Sequence, residues 1–342
     1  MERDVPIPVT VLTGFLGAGK TTLLNHVLRA AHGQRIAVIE NEFGAAGIDN
    51  ELLDQPQGEE IVEMNNGCLC CTVRGDLVRI LGRLHERRAL GEIGFDRVLI
   101  ETTGLADPAP VAQTFFVEES IREHYRLDAI VTVVDARHAC QQLDQHGEAQ
   151  EQVAFADRLL ISKSDLVDAP TLAALRGRLA SMNPRATQHL VRHGAIDLDE
   201  ILDIHGFQLD EALRLDPEFL TDASHEHDDA VSSWVYRSTR PFALDKLEDC
   251  LALLIGLFGT QLMRYKGVLD VAGDERRLYF QGVQAMYDGS PGRPWGPVKS
   301  APARWCSSAG TCRGGGCARW WRPVIGVPRR SVDRTKNLRE HD

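Results

Sequence analysis

A chain of 342 residues with 43% hydrophobic and 25% charged content has the composition of a globular protein large enough for one big domain or two medium ones. No apolar run approaches the ~20 residues needed to cross a bilayer, and the opening MERDVPIPVTVLTG has acidic residues and no separate apolar stretch before a small-residue cleavage site. This excludes a membrane-spanning segment, argues against a secretory signal and places the protein in the cytoplasm. The formal charge of −11 argues against a general nucleic-acid binder, which needs Lys/Arg surfaces. In a reducing compartment the eight cysteines read as metal ligands, redox thiols or buried apolar residues before they read as disulfides.

Taken in order, PVTVLTG (residues 8–14) predicts a strand ending in glycine. KTTLLNHVLRAA follows, with Leu23, Leu24, Val27 and Leu28 at helical spacing. RIAVIE (35–40), RVLIE (97–101), AIVTVVD (129–135) and RLLIS (158–162) are further apolar runs of strand length, separated by helical patterns such as 76–88 and 172–181. Near-continuous apolar strands alternating with helices predict an α/β domain with a mainly parallel sheet and helices on both faces, and ligands gathered at the strands' C-terminal ends. Around LTDASHEHDDAVSS (220–233) the pattern dissolves into charged, small and histidine residues, a linker. A smaller α+β unit follows, from SWVYRSTRPF through the helical LDKLEDCLALLIGLFG to MRYKGVLDVAG and RRLYFQGVQAMYDG. The expected organisation is a P-loop domain over 1–220, a linker over 221–233, a C-terminal domain over 234–296 and an atypical tail over 297–342.

The stretch from Gly14 through Gly17, Ala18 and Gly19 to Lys20 and Thr21 fits G-x-x-x-x-G-K-[ST] in its required strand-to-helix context. Backbone N–H groups of such a loop cradle phosphate oxygens at a helix's positive end. Lys20 would reach the β- and γ-phosphates, the Thr21 hydroxyl would hold Mg²⁺, and Thr22 extends the loop's phosphate-facing run. In SKSD, Ser162, Lys163 and Asp165 follow a predicted strand. A carboxylate there accepts from N1–H and the exocyclic amine of guanine, a pairing that adenine cannot offer, so GTP is favoured. In ETTG, the strand-end Glu101 can hold Mg²⁺ through water, and the Gly104 N–H can sense the terminal phosphate.

NNGCLCCT concentrates Cys68, Cys70 and Cys71 in four positions, too close for a disulfide framework and too few for a complete tetrahedral site. Soft thiolates suit zinc or copper(I), with a redox set or buried cysteines as the alternatives. Cys140 and Cys250, in helical surroundings, read as packing residues. His225 and His227 read as part of a solvated linker, with accessory metal binding as the alternative.

Together, GFLGAGKTTLLNH, ENEFG, NGCLCCT, ETTGLADP and SKSDL, with the later RYKGVL, FQGVQ and RPWG, resemble the CobW-type metal-chaperone GTPases over roughly residues 5–296. The resemblance implies slow GTP hydrolysis coupled to delivery of a divalent metal, most often zinc, to a metal-requiring client apoprotein, with a nucleotide-dependent homodimer as a possible assembly. It puts zinc ligands at Cys68, Cys70 and Cys71, with Glu40 and Glu42 as acidic candidates. Ala45 stands where relatives often carry an acidic residue. The competing readings are a P-loop phosphotransferase with a structural zinc, and a zinc-storage or redox-sensing protein.

After RPWG the composition flips. Residues 297–342 hold ten Lys/Arg against three Asp/Glu, which leaves −18 for the rest, and carry three cysteines and three tryptophans. Out-of-frame translation of GC-rich DNA gives such a composition. The tail is therefore expected to be largely disordered and to deprive the second domain of a strand. A metal site at Cys306, Cys312 and Cys317 is disfavoured by a spacing that fits no standard knuckle.

Overall fold

The computed structural model describes residues 5–30, 33–41, 60–64, 71–207, 231–238, 241–259, 261–295 and 303–310. Seven strands form the first sheet: β1 (Ile7–Gly14), β2 (Ile36–Asn41), β3 (Glu60–Met64), β4 (Arg97–Glu101), β5 (Tyr125–Asp135), β6 (Arg158–Ser162) and β7 (Thr187–Leu190). Their order is β3-β2-β4-β1-β5-β6-β7, and every pairing is parallel. The α/β expectation holds.

The inner strands β2, β4, β1, β5 and β6 are largely apolar because both faces are covered. In β4 the alternating side chains divide between two cores: Val98 and Ile100 enter the larger, Leu99 the smaller. The smaller core is closed by α1 (Lys20–Arg29) through Leu23, Leu24, Val27 and Leu28, the positions that the helical spacing selects. The larger is covered by α2 (Cys71–Ala89), α3 (Ala109–Val117), α4 (Glu119–His124), α5 (Ala139–Gln145), α6 (Gly147–Phe155) and α7 (Ala169–Met182), which supply residues such as Leu81, Ala112, Ile121, Leu143, Phe155 and Leu179. Among the described residues no helix is long and apolar enough to cross a membrane.

The second unit is a five-stranded antiparallel sheet of β8 (Val231–Ser238), β9 (Arg264–Asp270), β10 (Arg276–Val283), β11 (Met286–Pro294) and β12 (Ala303–Gly310), in the order β11-β10-β9-β12-β8. Helix α8 (Leu244–Phe258) packs Leu247, Leu251 and Leu254 into a core with Leu269 and Phe280. β12 corrects the sequence reading in one place. It lies inside the stretch expected to be disordered, yet it pairs with β8 along eight residues and with β9 along five. Backbone ladders need an extended chain more than particular side chains, so composition averaged over 46 residues hid an eight-residue strand. Cys306 lies on this strand opposite Val235; Cys312 and Cys317 lie outside the described residues. A second correction concerns Cys140, which is exposed on α5, whereas Cys250 is buried in α8 as expected.

The two units meet through buried charge. Asp157, just before β6, accepts from Arg264 at 2.7 Å and Lys266 at 3.0 Å, both on β9, and from the Ile130 N–H at 2.9 Å. Arg264 also donates to the Phe155 carbonyl at 2.7 Å and lies 3.9 Å from the Phe207 ring. Burial would raise the Asp157 pKa, but the two cations and their hydrogen bonds hold it below the ordinary carboxylate value. Burial, with Arg264 beside it, pulls Lys266 down to about 7.

Candidate nucleotide and metal site

The C-terminal ends of the parallel strands carry the site, as expected for an open α/β sheet. β1 must pass so close to β5 that a Cβ at Gly14 would lie 2.3 Å from the Val133 carbonyl oxygen, so only glycine ends this strand. Gly17 and Gly19 take φ of 75° and 100°, which turns the loop back into α1. No side chain among the described residues caps that helix, and its first-turn N–H groups remain available to an anion. Ala18 is buried beneath the loop. Lys20 is also buried, and its Nζ donates to the Gly14 carbonyl at 2.9 Å, so the ammonium sits inside the curl of the loop. Thr21 is half-buried and Thr22 exposed.

The loop is fastened from the opposite side by the SKSD segment. Ser162 Oγ donates to the Ala18 carbonyl at 2.7 Å, and Lys163 Nζ donates to the Gly17 carbonyl at 2.7 Å. Lys163, at φ 53°, aims its ammonium into an ion pair with Asp135 at 2.8 Å. Asp135 is a site residue that sequence reasoning passed over, although its place at the end of the strand beside β1 was a usable signal. Burial would raise its pKa; hydrogen bonds from His138 and Lys163 and from the Arg137 N–H outweigh that and hold it low. Asp165 is exposed in the short 3-10 turn Ser164–Leu166.

Glu101 ends β4, and Glu40, buried near the end of β2, is its register partner. Gly104 is pressed so tightly against the phosphate loop that a Cβ would lie 2.6 Å from the Leu16 N and Cδ2. Its carbonyl accepts from Gln152 Nε2 at 3.2 Å, and the Ala106 carbonyl accepts from the same nitrogen at 3.1 Å. Two buried hydroxyl oxygens around the loops, Thr103 Oγ1 and Ser164 Oγ, have no hydrogen-bond partner among the described residues. The structure thus brings together Gly14, Gly17, Ala18, Gly19, Lys20, Ser162 and Lys163 by direct contact, and sets Glu101 and Gly104 alongside. Of the zinc candidates, Cys68, Cys70 and Glu42 lie outside the described residues, as do Ala45, His225 and His227; Cys71 begins α2.

The chain matches the nucleotide-binding domain model of CobW/HypB/UreG over residues 8–189 and the CobW C-terminal domain model over residues 231–314. The chain belongs to this family. Its membership makes it a P-loop GTPase in class, and the C-terminal domain match reaches past β12. It is similar to the zinc chaperone YjiA of Escherichia coli, 43% identical over 295 residues that cover 86% of this chain and 91% of YjiA. The zinc chaperone CobW of Pseudomonas aeruginosa is 36% identical, with 86% of this chain and 85% of that protein covered. Among solved structures, the Zn(II)-bound YjiA GTPase of E. coli superposes with a TM-score of 0.75 at 35% identity, covering 94% of this chain and all of that one.

Proposed function

We propose that this CobW-family protein is a GTP-hydrolysing metallochaperone of the cytoplasm. It takes zinc as cargo at Cys68, Cys70 and Cys71, with Glu40 and Glu42 completing the donor set, and passes it to a metal-requiring client apoprotein. The observation that carries the reading is the β2–β4 register: Glu40, a candidate for the cargo, stands beside Glu101, a candidate for magnesium, on one edge of the phosphate loop. The names of the similar proteins, a zinc chaperone YjiA and a zinc chaperone CobW, support the same cargo.

In this mechanism Lys20 leaves the Gly14 carbonyl to meet the β- and γ-phosphates, and the N–H groups from Gly17 to Thr22 hold the remaining phosphate oxygens. Thr21 and Glu101 are the oxygen donors that suit Mg²⁺, which would neutralise charge developing between the β- and γ-phosphates. Lys163 and Ser162 keep the loop's shape through its Gly17 and Ala18 carbonyls, while Asp165 selects guanine. The Gly104 N–H reads the terminal phosphate. The cysteines must be thiolates to bind, so zinc uptake releases protons and weakens below neutral pH. Homodimerisation in one nucleotide state is compatible with a site lying open at the strand ends.

The test is GTP and ATP turnover by the purified protein in Mg²⁺, with and without stoichiometric Zn²⁺. Slow turnover, a preference for GTP of at least about tenfold and a zinc-dependent rate are expected. Equal use of ATP would remove the role given to Asp165, and a rate indifferent to zinc would leave a GTPase without a chaperone cycle.

A further inference from the structure

Gln152 is almost completely buried in α6, and the proposed hydrolysis assigns it no step. Its Nε2 carries two hydrogens, and the structure directs them at the Gly104 and Ala106 carbonyls, at 3.2 and 3.1 Å. Its own backbone carbonyl accepts from Thr132 Oγ1 of β5 at 2.8 Å, which fixes the residue on the sheet. One turn further along the same helix, the Phe155 carbonyl accepts from Arg264 of the second domain, and Asp157 completes the joint with Arg264 and Lys266. Thus α6 ends on the ETTG loop through one side chain and on β9 through a buried ion-pair cluster.

We propose that Gln152 is a positioning residue that couples the ETTG loop to the C-terminal domain. This rests on the nucleotide reading given above. Gly104 can approach a terminal phosphate in two ways. It can break both hydrogen bonds from Gln152, which leaves a buried primary amide without acceptors, a costly state, or it can draw α6 along. The second course loads the Phe155 and Asp157 joints and moves β9. A well-packed interior transmits such displacements rather than absorbing them. A second polar contact between the units, from Gln113 Nε2 of α3 to Gln284 Oε1 at 2.9 Å, provides an internal control.

The experiment is hydrogen–deuterium exchange on the full chain in Mg²⁺·GDP and in Mg²⁺ with a non-hydrolysable GTP analogue. It compares the wild type with Gln152→Met, Gln152→Glu and Gln113→Met. In the wild type, exchange should differ between the nucleotide states both at residues 101–117 and at residues 264–284. In Gln152→Met the difference at 101–117 should persist, while that at 264–284 should shrink at least about twofold. Gln113→Met should retain both. Gln152→Glu keeps the shape but offers the two carbonyls at most one O–H in place of two N–H hydrogens, so it should shrink the response at 264–284 in the same direction and serves if the methionine variant fails to fold. A response at 264–284 that survives both Gln152 substitutions overturns the proposal, as does a wild type that responds at 101–117 and not at 264–284. Loss of any nucleotide response at residues 14–22 in the wild type would instead overturn the nucleotide reading, and this proposal with it.

Discussion

Replacing Lys20 by alanine should lower GTP turnover about 100- to 1,000-fold, the usual cost of losing one donor to developing charge. Lys20 Nζ donates to the Gly14 carbonyl of its own loop, so the variant should keep its fold. Single-turnover kinetics alongside thermal unfolding would check this. Asp165 lies exposed in its 3-10 turn, so Asp165→Asn should fold normally and shift preference from guanosine to xanthosine nucleotides. Competition assays with the two triphosphates read that directly, and an unchanged preference would move guanine selection to another residue. At Glu151, burial first, and then the carboxylates of Asp107 and Glu148, push the pKa up to about 7. A folded-state pKa above the ordinary 4.5 contributes stability that is fully present below about 4.5 and is lost as pH rises through 7. Glu151→Gln should therefore raise the thermal midpoint at pH 8 and leave it nearly unchanged at pH 5, a contrast that differential scanning fluorimetry at the two pH values resolves.

Among the elements, β12 has the sharpest consequence. A chain ending at residue 296 loses the strand between β8 and β9, so β8 keeps no ladder and β9 exposes an edge. Such a truncation should expose residues 231–295 to limited proteolysis, whereas a chain ending at residue 311 should resist it as the full chain does. The elements that the sequence revealed have strong local signals: β1 and α1 combine an apolar run, a glycine loop and helical spacing, and β4 and β6 are apolar because they are covered on both faces. β7 escaped because Thr187–Leu190 is a half-exposed edge strand of four residues without an apolar run. β3, EIVEM, is too short for its pattern to decide. The phosphate loop, Glu101, Gly104 and SKSD were legible because their chemistry demands particular residues at fixed spacing. Gln152 belongs to no such motif, and its meaning comes from a tertiary approach of α6 to the ETTG loop.

At the scale of the molecule, the proposed function puts cargo and nucleotide on one edge of one sheet and so predicts that their affinities are linked. If GTP changes zinc affinity by a factor, zinc changes GTP affinity by the same factor, about five- to 150-fold for typical couplings. Calorimetric titration of zinc into the Mg²⁺·GDP form and into the form with a non-hydrolysable GTP analogue should give different affinities, and an observed heat that varies with the buffer's ionisation enthalpy because protons are released. Identical zinc affinities would separate hydrolysis from metal handling. The sheet order of the second domain bears on synthesis as well. On a ribosome, β8 emerges roughly 70 residues before β12, an interval of several seconds at 5–20 residues per second. The nucleotide domain, whose strands precede that interval, can close its own sheet first, while β8 waits for the strand that will join it to β9. During that wait the nascent second half is the part of this protein with an incomplete sheet to shield, and the finished nucleotide domain, with Asp157 already in place, is the surface on which β9 can dock.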